Sequence, residues 1–272
     1  MAWRYSILLL AALAVWHTSA AGAVQLQHSS SCGKRLPAAT EPGPAASLRG
    51  ERIQVLSWNI QKNSGAQWRE ELRRLAHGAD LVLLQEAILE APWEAVLEGN
   101  YEAVFSPGYR TAKYRSGVLT ISAVSAAGHC SLSHREPLLG TPKATNISRY
   151  PILGQTRQLL VVNLHGVNFS LGGYNLSTQL NDSGSLVEKH RGPVIFAGDF
   201  NTWSEARMAK VKAVIKRLKL RPLTYTDDQR SRVFGQALDH IFVRGLRVIE
   251  AGAASSGASD HGPVHATLAL EE

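Results

Sequence analysis

Cysteine is scarce in this chain: 272 residues hold two, Cys32 and Cys130. Two thiols so far apart make no zinc site, which takes four closely spaced ligands. In an oxidising compartment they could pair; otherwise they are unrelated thiols, and sequence distance does not decide between the two. No repeat of fixed period is visible, which sets aside solenoids and propellers. No second block of composition marks a second domain. No apolar run reaches the ~20 residues of a membrane-spanning helix. Acidic residues are outnumbered, 22 against 29 basic, so the net charge is +7. A basic balance suits a polyanionic partner such as nucleic acid, lipid headgroups or a phosphorylated small molecule, although it also serves plain solubility.

What is present is globular: 44% hydrophobic and 19% charged residues. Arg4, the apolar run "YSILLLAALAVW" and the small residues of "AGA" (Ala21 to Ala23) read as a signal peptide over residues 1–23. Export follows as an expectation, to a bacterial periplasm or as a secreted protein. "LPAATEPGPAASLRGE" is rich in Pro, Ala and Gly, so residues 24–51 read as a flexible leader. Residues 52–272 read as one domain. Asn146, Asn168, Asn175 and Asn181 each begin an N-x-Ser triplet, the acceptor pattern for glycans in eukaryotic secreted proteins.

Apolar runs mark strands at "RIQVLSWNI", "DLVLLQEA", "SGVLTISAV", "QLLVVNLHG", "GPVIFAGDF", "ALDHIFVRG" and "PVHATLAL". "AQWREELRRLAHGA" and "SEARMAKVKAVIKRLKL" have helical spacing, the first with Gly78 as a stop. Strands also follow one another without a helix between. That mixture points to two packed sheets with helices outside, rather than an alternating wound sheet.

Polar residues interrupt these runs at one kind of place. Asn59 follows "VLSW", Glu86 follows "LVLLQ", His165 follows "LVVNL", and Asp199 and Asn201 follow "VIFAG". Asp239 opens "DHIFV", and Asp260 and His261 precede the last strand. A single polar strand end merely meets water; eight of them suggest a shared cleft. Asn59, Glu86 and Asp260 are hard oxygen donors suited to Mg²⁺ or Mn²⁺. Asp199 could orient or deprotonate a water that Asn201 helps hold. His261, supported by Asp239, could face a phosphoryl oxygen as a cation, and His165 could donate to the same phosphate. This is the outline of metal-assisted phosphate-ester hydrolysis.

"SWNIQ", "LVLLQEA", "SGVLTIS", "NLHGVNF", "GDFNTW", "LDHIFV" and "SDHGPV" occur in the order seen in the endonuclease/exonuclease/phosphatase superfamily, which the chain resembles over about residues 52 to 270. The resemblance implies a DNase I-like α/β four-layer sandwich, two mixed, mostly antiparallel sheets flanked by helices. It implies that Glu86, Asn59 and Asp260 lie around the metal, that Asp199 and Asn201 handle water, that Asp239 pairs with His261, and that His165 contacts phosphate. Two places depart from the superfamily pattern. Gln61 stands where some members have an aspartate, and Ala123 where many have an arginine, a charge Lys143 could replace. His240 points away from Asp239 and reads as structural, and Trp203 as packing or a cleft wall. The expected protein is an exported monomeric phosphoesterase whose substrate is nucleic acid, a lipid headgroup or an inositol phosphate; the alternative is a silent phosphate-binding module. No aromatic-interleaved basic ribbon and no exposed apolar hairpin stand out.

Overall fold

The computed structural model describes residues 23–33, 47–168 and 174–271. Along the chain its strands are β1 (Val24–His28), β2 (Ile53–Asn59), β3 (Leu81–Ile88), β4 (Tyr101–Arg110), β5 (Arg115–Ser122), β6 (Gly128–Arg135), β7 (Pro142–Tyr150) and β8 (Leu159–His165). They continue as β9 (Val194–Asp199), β10 (Arg221–Pro222), β11 (Arg232–Val233), β12 (Gln236–Ala237), β13 (Asp239–Arg244), β14 (Leu246–Ala253) and β15 (Val264–Leu270). Among the described residues four α-helices accompany them: α1 (Trp68–Ala76), α2 (Trp93–Val96), α3 (Tyr174–Lys189) and α4 (Glu205–Arg217).

One sheet runs β1-β4-β5-β3-β2-β15-β14 and a second β10-β13-β9-β8-β7-β6. Both are mixed: β2 pairs parallel with β3 and β8 with β9, while most other neighbours are antiparallel. The expected DNase I-like sandwich is what the chain forms. Strict alternation explains the layers, because successive side chains on a strand point to opposite faces. Ile53, Val55, Leu81 and Leu83 meet Leu159, Val161, Ile195 and Ala197 between the sheets. Leu56, Trp58, Val82 and Leu84 turn outward under α1 and α2, and Leu160, Val162, Val194 and Phe196 lie under α3 and α4. Strands buried on both faces are apolar throughout, and the sequence reading finds them for that reason.

It misses β4, β6, β7 and β14. The buried faces of β7 and β4 carry Thr145, Asn146, Ser148 and Ser106, joined by bonds such as Asn146 Nδ2 to Ser106 Oγ at 3.1 Å. Asn146 is fully buried, so its N-x-Ser triplet is closed to modification. His129 and His134 lie on β6, where His134 meets Asp182 of α3 at 2.8 Å.

Part of the stretch read as a mobile leader is instead built into the sandwich. β1 pairs in parallel with β4, Leu48 is buried in the core, and Cys32 is disulfide-bonded to Cys130 of β6. Composition suggested mobility, but the ordering comes from long-range pairing, which composition does not reveal. The signal-peptide reading and the middle of the leader fall outside the described residues.

Candidate active site

The sheets bring five strand ends to one edge. Asp239, the first residue of β13, is the register partner of Asp199, the last of β9; His165, the last of β8, pairs with Asp199 on its other side. In the facing sheet, Asn59 ends β2 beside Gln85 of β3. The segment 259–261 enters the same edge ahead of β15, and Trp58 fixes it by donating its indole N–H to the His261 carbonyl at 2.8 Å.

Backbone irregularities aim the side chains. Between Leu84 and Ala87 the β3–β5 register slips by one residue, and Glu86, on this bulge, has φ 55°. A bulge of this kind redirects one side chain out of the pleat. Asn201 has φ 50°, and the turn after β2 holds Gln61, Lys62 and Asn63 at φ 45°, 56° and 56°. Such left-handed residues cost of order 1 kcal/mol each and persist only where the surroundings hold them. Here Asn63 Oδ1 accepts from Ile88 N–H at 2.8 Å and Asn59 Oδ1 from Gln61 N–H at 3.1 Å.

Asp199 is 1% exposed. Its Oδ1 accepts from the Asn201 N–H at 2.8 Å, and its Oδ2 from the Asn201 and Asn59 amides, each at 3.1 Å. Burial raises its pKa, and His261 opposes that rise. His165 Nε2 and His261 Nε2 face the same Oδ2 at 3.7 and 3.9 Å. His261 Nδ1 lies 2.7 Å from Asp239 Oδ2. Burial alone would lower this imidazole, but Asp239, with Asp199 nearby, raises it to about 10. His261 is therefore an imidazolium across the neutral range, and Nε2–H is the donor left once Nδ1 meets Asp239.

Glu86 meets Lys62 Nζ at 2.5 Å, Lys143 Nζ at 3.7 Å and His165 Nε2 at 3.6 Å. Burial favours its neutral form, yet His165, Lys143 and Lys62 hold the carboxyl at about 2. Burial, aided by Lys143, pulls His165 itself down to about 4, so near neutrality the two ammonium groups are the charges that keep Glu86 ionised. Lys143 Nζ is 2.8 Å from His165 Nε2. An ammonium has only donors, so Nε2 accepts and the ring proton is on Nδ1. The cation at this spot is thus Lys143 rather than His165.

Lys62 and Glu136 were not singled out in the sequence. Lys62 lies in a turn with no periodic pattern. Glu136, 3% exposed, sits in the β6–β7 hairpin, accepting from Thr141 Oγ1 and from the Asn168 N–H at 3.1 Å, with Lys143 Nζ 3.8 Å away. Buried Arg207 of α4 also escaped notice. It donates to the Asn201 carbonyl at 2.6 Å, the Asn168 carbonyl at 2.8 Å and the Val167 carbonyl, tying two loops of the edge together. Trp203 packs beneath it, donating to Asn168 Oδ1 at 2.8 Å. His240 lies beside Phe200, stacked on Phe242, outside the Asp199 group.

A cleft of about 290 Å³ opens over this edge, lined by Lys62, Glu86, Glu136, Lys143 and His165 together with Tyr109 and Leu139. Of the expected metal donors, Glu86 faces the cleft, while Asn59 is buried behind it and turned to Asp199. Asp260 is exposed on the segment beside Gln61, whose Oε1 accepts from the Asp260 N–H at 3.3 Å. An all-oxygen set with an ionised glutamate fits the chemistry of a small divalent cation. Among the described residues, one group of three acidic or histidine side chains has its ligand atoms all within 4.8 Å of one another: Asp199, Asp239 and His261. Their Nδ1–Oδ2 contact makes that group an ion pair rather than a set of open donors.

Residues 56–261 match the profile of the Endonuclease/Exonuclease/phosphatase family. A mannosyl-6-phosphatase of Bacteroides thetaiotaomicron VPI-5482 superposes with a TM-score of 0.61 at 16% identity, covering 80% of this chain and all of that one. The human Nocturnin catalytic domain with bound sulfate gives 0.60 at 16%, covering 83% and 97%. TDP2 from C. elegans gives 0.59 at 16%, covering 84% and 78%. At such identities the structural likeness speaks for the fold alone.

Proposed function

Because the chain belongs to the Endonuclease/Exonuclease/phosphatase family, and so to its phosphate-ester hydrolases, we propose that it is an exported, divalent-metal-dependent phosphoesterase in which Asp199 positions the attacking water. The observation that carries this reading is the setting of Asp199: a buried carboxylate held by three N–H donors, between two histidines, one of which, His165, lines the cleft. Asp199 and Asn201 hold and orient the water, and Asp199 accepts its proton. His261, kept cationic by Asp239, donates from Nε2 to the phosphoryl oxygen as negative charge builds. Lys143 neutralises the same group from the other side, with Glu136 and His165 fixing its position. Glu86, Asn59 and Asp260 would hold Mg²⁺ or Mn²⁺, which when bound supplies Lewis-acid neutralisation of the phosphate. The disulfide supports export, since such bonds persist in oxidising compartments.

The test is hydrolysis of bis(p-nitrophenyl) phosphate with Mg²⁺ and with EDTA. Asp199→Asn keeps the side chain's shape and removes the base; turnover should fall by roughly a hundredfold or more while the circular dichroism spectrum is retained. Near-normal turnover in that variant would remove Asp199 from the water-handling role. Full activity in EDTA would remove the metal.

A further inference from the structure

The edge that gathers these residues also carries much of the large apolar surface left in water. The hairpin between β6 and β7 has Leu138 and Leu139 at its tip, 73% and 63% exposed. The following Gly140 has φ 64°, and a Cβ there would meet nothing within 4 Å, so the tip stands clear of the body. The β11–β12 hairpin presents Phe234 at 86% exposure, and Tyr174, 76% exposed, begins α3. Tyr109, on the β4–β5 hairpin, lines the cleft together with Leu139.

Topology puts these tips on the active-site edge. Thr145 of β7 pairs with Leu164 beside His165, β12 leads into Asp239, and Ser116 of β5 pairs with Ile88 just beyond Glu86. The β4–β5 hairpin reads Tyr-Arg-Thr-Ala-Lys-Tyr-Arg from 109 to 115, the aromatic-interleaved basic ribbon that strand-blind reading passes over. Arg115 is paired with Glu90, but Arg110 and Lys113 are exposed and form no ion pair among the described residues. Base stacking would account for the tyrosines; it gives no role to an aliphatic Leu-Leu tip. Aliphatic and aromatic tips beside unpaired cations match an anionic lipid surface, with its apolar interior below charged headgroups.

We propose that this edge docks on anionic phospholipid bilayers. Leu138, Leu139 and Phe234 enter the interface, Arg110 and Lys113 meet headgroup phosphates, and the cleft is presented to a lipid phosphate ester. Only the last clause rests on the phosphoesterase reading; docking stands by itself. The experiment is co-sedimentation of the protein with phosphatidylglycerol/phosphatidylcholine vesicles and with phosphatidylcholine vesicles alone. Binding should favour the anionic vesicles and weaken in high salt. Leu138→Ser/Leu139→Ser should weaken it by about tenfold or more, and Arg110→Gln/Lys113→Gln should abolish the preference for anionic lipid. All four side chains are exposed, so both variants should melt with the wild type, and Arg110→Gln/Lys113→Gln, which lies outside the cleft lining, should hydrolyse the soluble ester at its rate. Absence of vesicle binding, or binding indifferent to both double variants, overturns the proposal. So does finding that the leucine variant instead weakens binding of a single-stranded oligonucleotide or dissociates a dimer. Vesicle binding in a protein that hydrolyses no soluble ester supports docking and counts against the phosphoesterase reading alone.

Discussion

Glu86 and Lys62 make the sharpest residue-scale prediction. The ammonium lies against the carboxylate proposed as a metal donor, so it competes with a cation for that oxygen. Lys62→Met removes the competitor; Mn²⁺ affinity, read by electron paramagnetic resonance titration, should rise about tenfold, the effect of ~1.4 kcal/mol of relieved like-charge repulsion. Unchanged affinity would show that Lys62 does not share the metal's place. His240 gives a pH prediction. Its Nδ1 accepts from Arg230 at 3.1 Å, so the ring is neutral, and its Nε2 lies 2.8 Å from Thr202 Oγ1. Burial, then Arg230, lowers its pKa to about 3, with Asp228 and Arg232 the other charges acting on it. The unfolded chain takes up this proton near the ordinary pKa of about 6.5, before the folded one does. Stability from this site is therefore complete above that value and is lost as pH falls toward 3. The melting temperature should drop on acidification through this range, and less steeply in His240→Gln.

At the scale of elements, the residue that ends the β9 run depends on the glycine before it. Gly198 has φ 136°, and a Cβ there would lie 2.0 Å from the Leu164 carbonyl oxygen. Gly198→Ala should cost more than ~3 kcal/mol in a urea unfolding curve, because both the backbone angle and the clash oppose it. Strand ends such as Asn59, Glu86, His165 and Asp199 were legible because each breaks an apolar run, and a run buried on both faces is the clearest pattern a sheet offers. Lys62 differs in kind. Its position comes from a left-handed turn, so no periodicity announces it, and Lys143 was named only through the departure at Ala123. The bulge at Glu86 is likewise invisible, since it is a slip between two strands rather than a property of either one. Gln85 shows the same limit: its amide crosses between the sheets to Asn163 Oδ1 at 2.7 Å, and only the stacking of the layers reveals that partner.

For the whole molecule, the bond between Cys32 and Cys130 closes a loop spanning 98 positions. A closure of that length restrains the unfolded chain by on the order of 4 kcal/mol in the chain-entropy picture. Reduction, or Cys130→Ser, should lower the urea midpoint accordingly, and an unchanged midpoint under reductant would show that the clasp carries no stability. The fold class followed from the sequence because strands outnumber helices and in places follow one another with no helix between. The joining of the N-terminal segment to both sheets did not, because partners so distant leave no local trace.

The segment from Val24 to Cys32 lies along β4 in one sheet and bridges to β6 in the other through Ser31 and Ser131. It works as a seam, covering two strand borders that would otherwise offer open backbone to neighbouring molecules. Its partners lie some seventy to a hundred residues downstream, so the earliest part of this stretch to be synthesised is stitched only after β4 and β6 exist. Until then the nascent protein has an unhemmed flank, and oxidation completes its assembly.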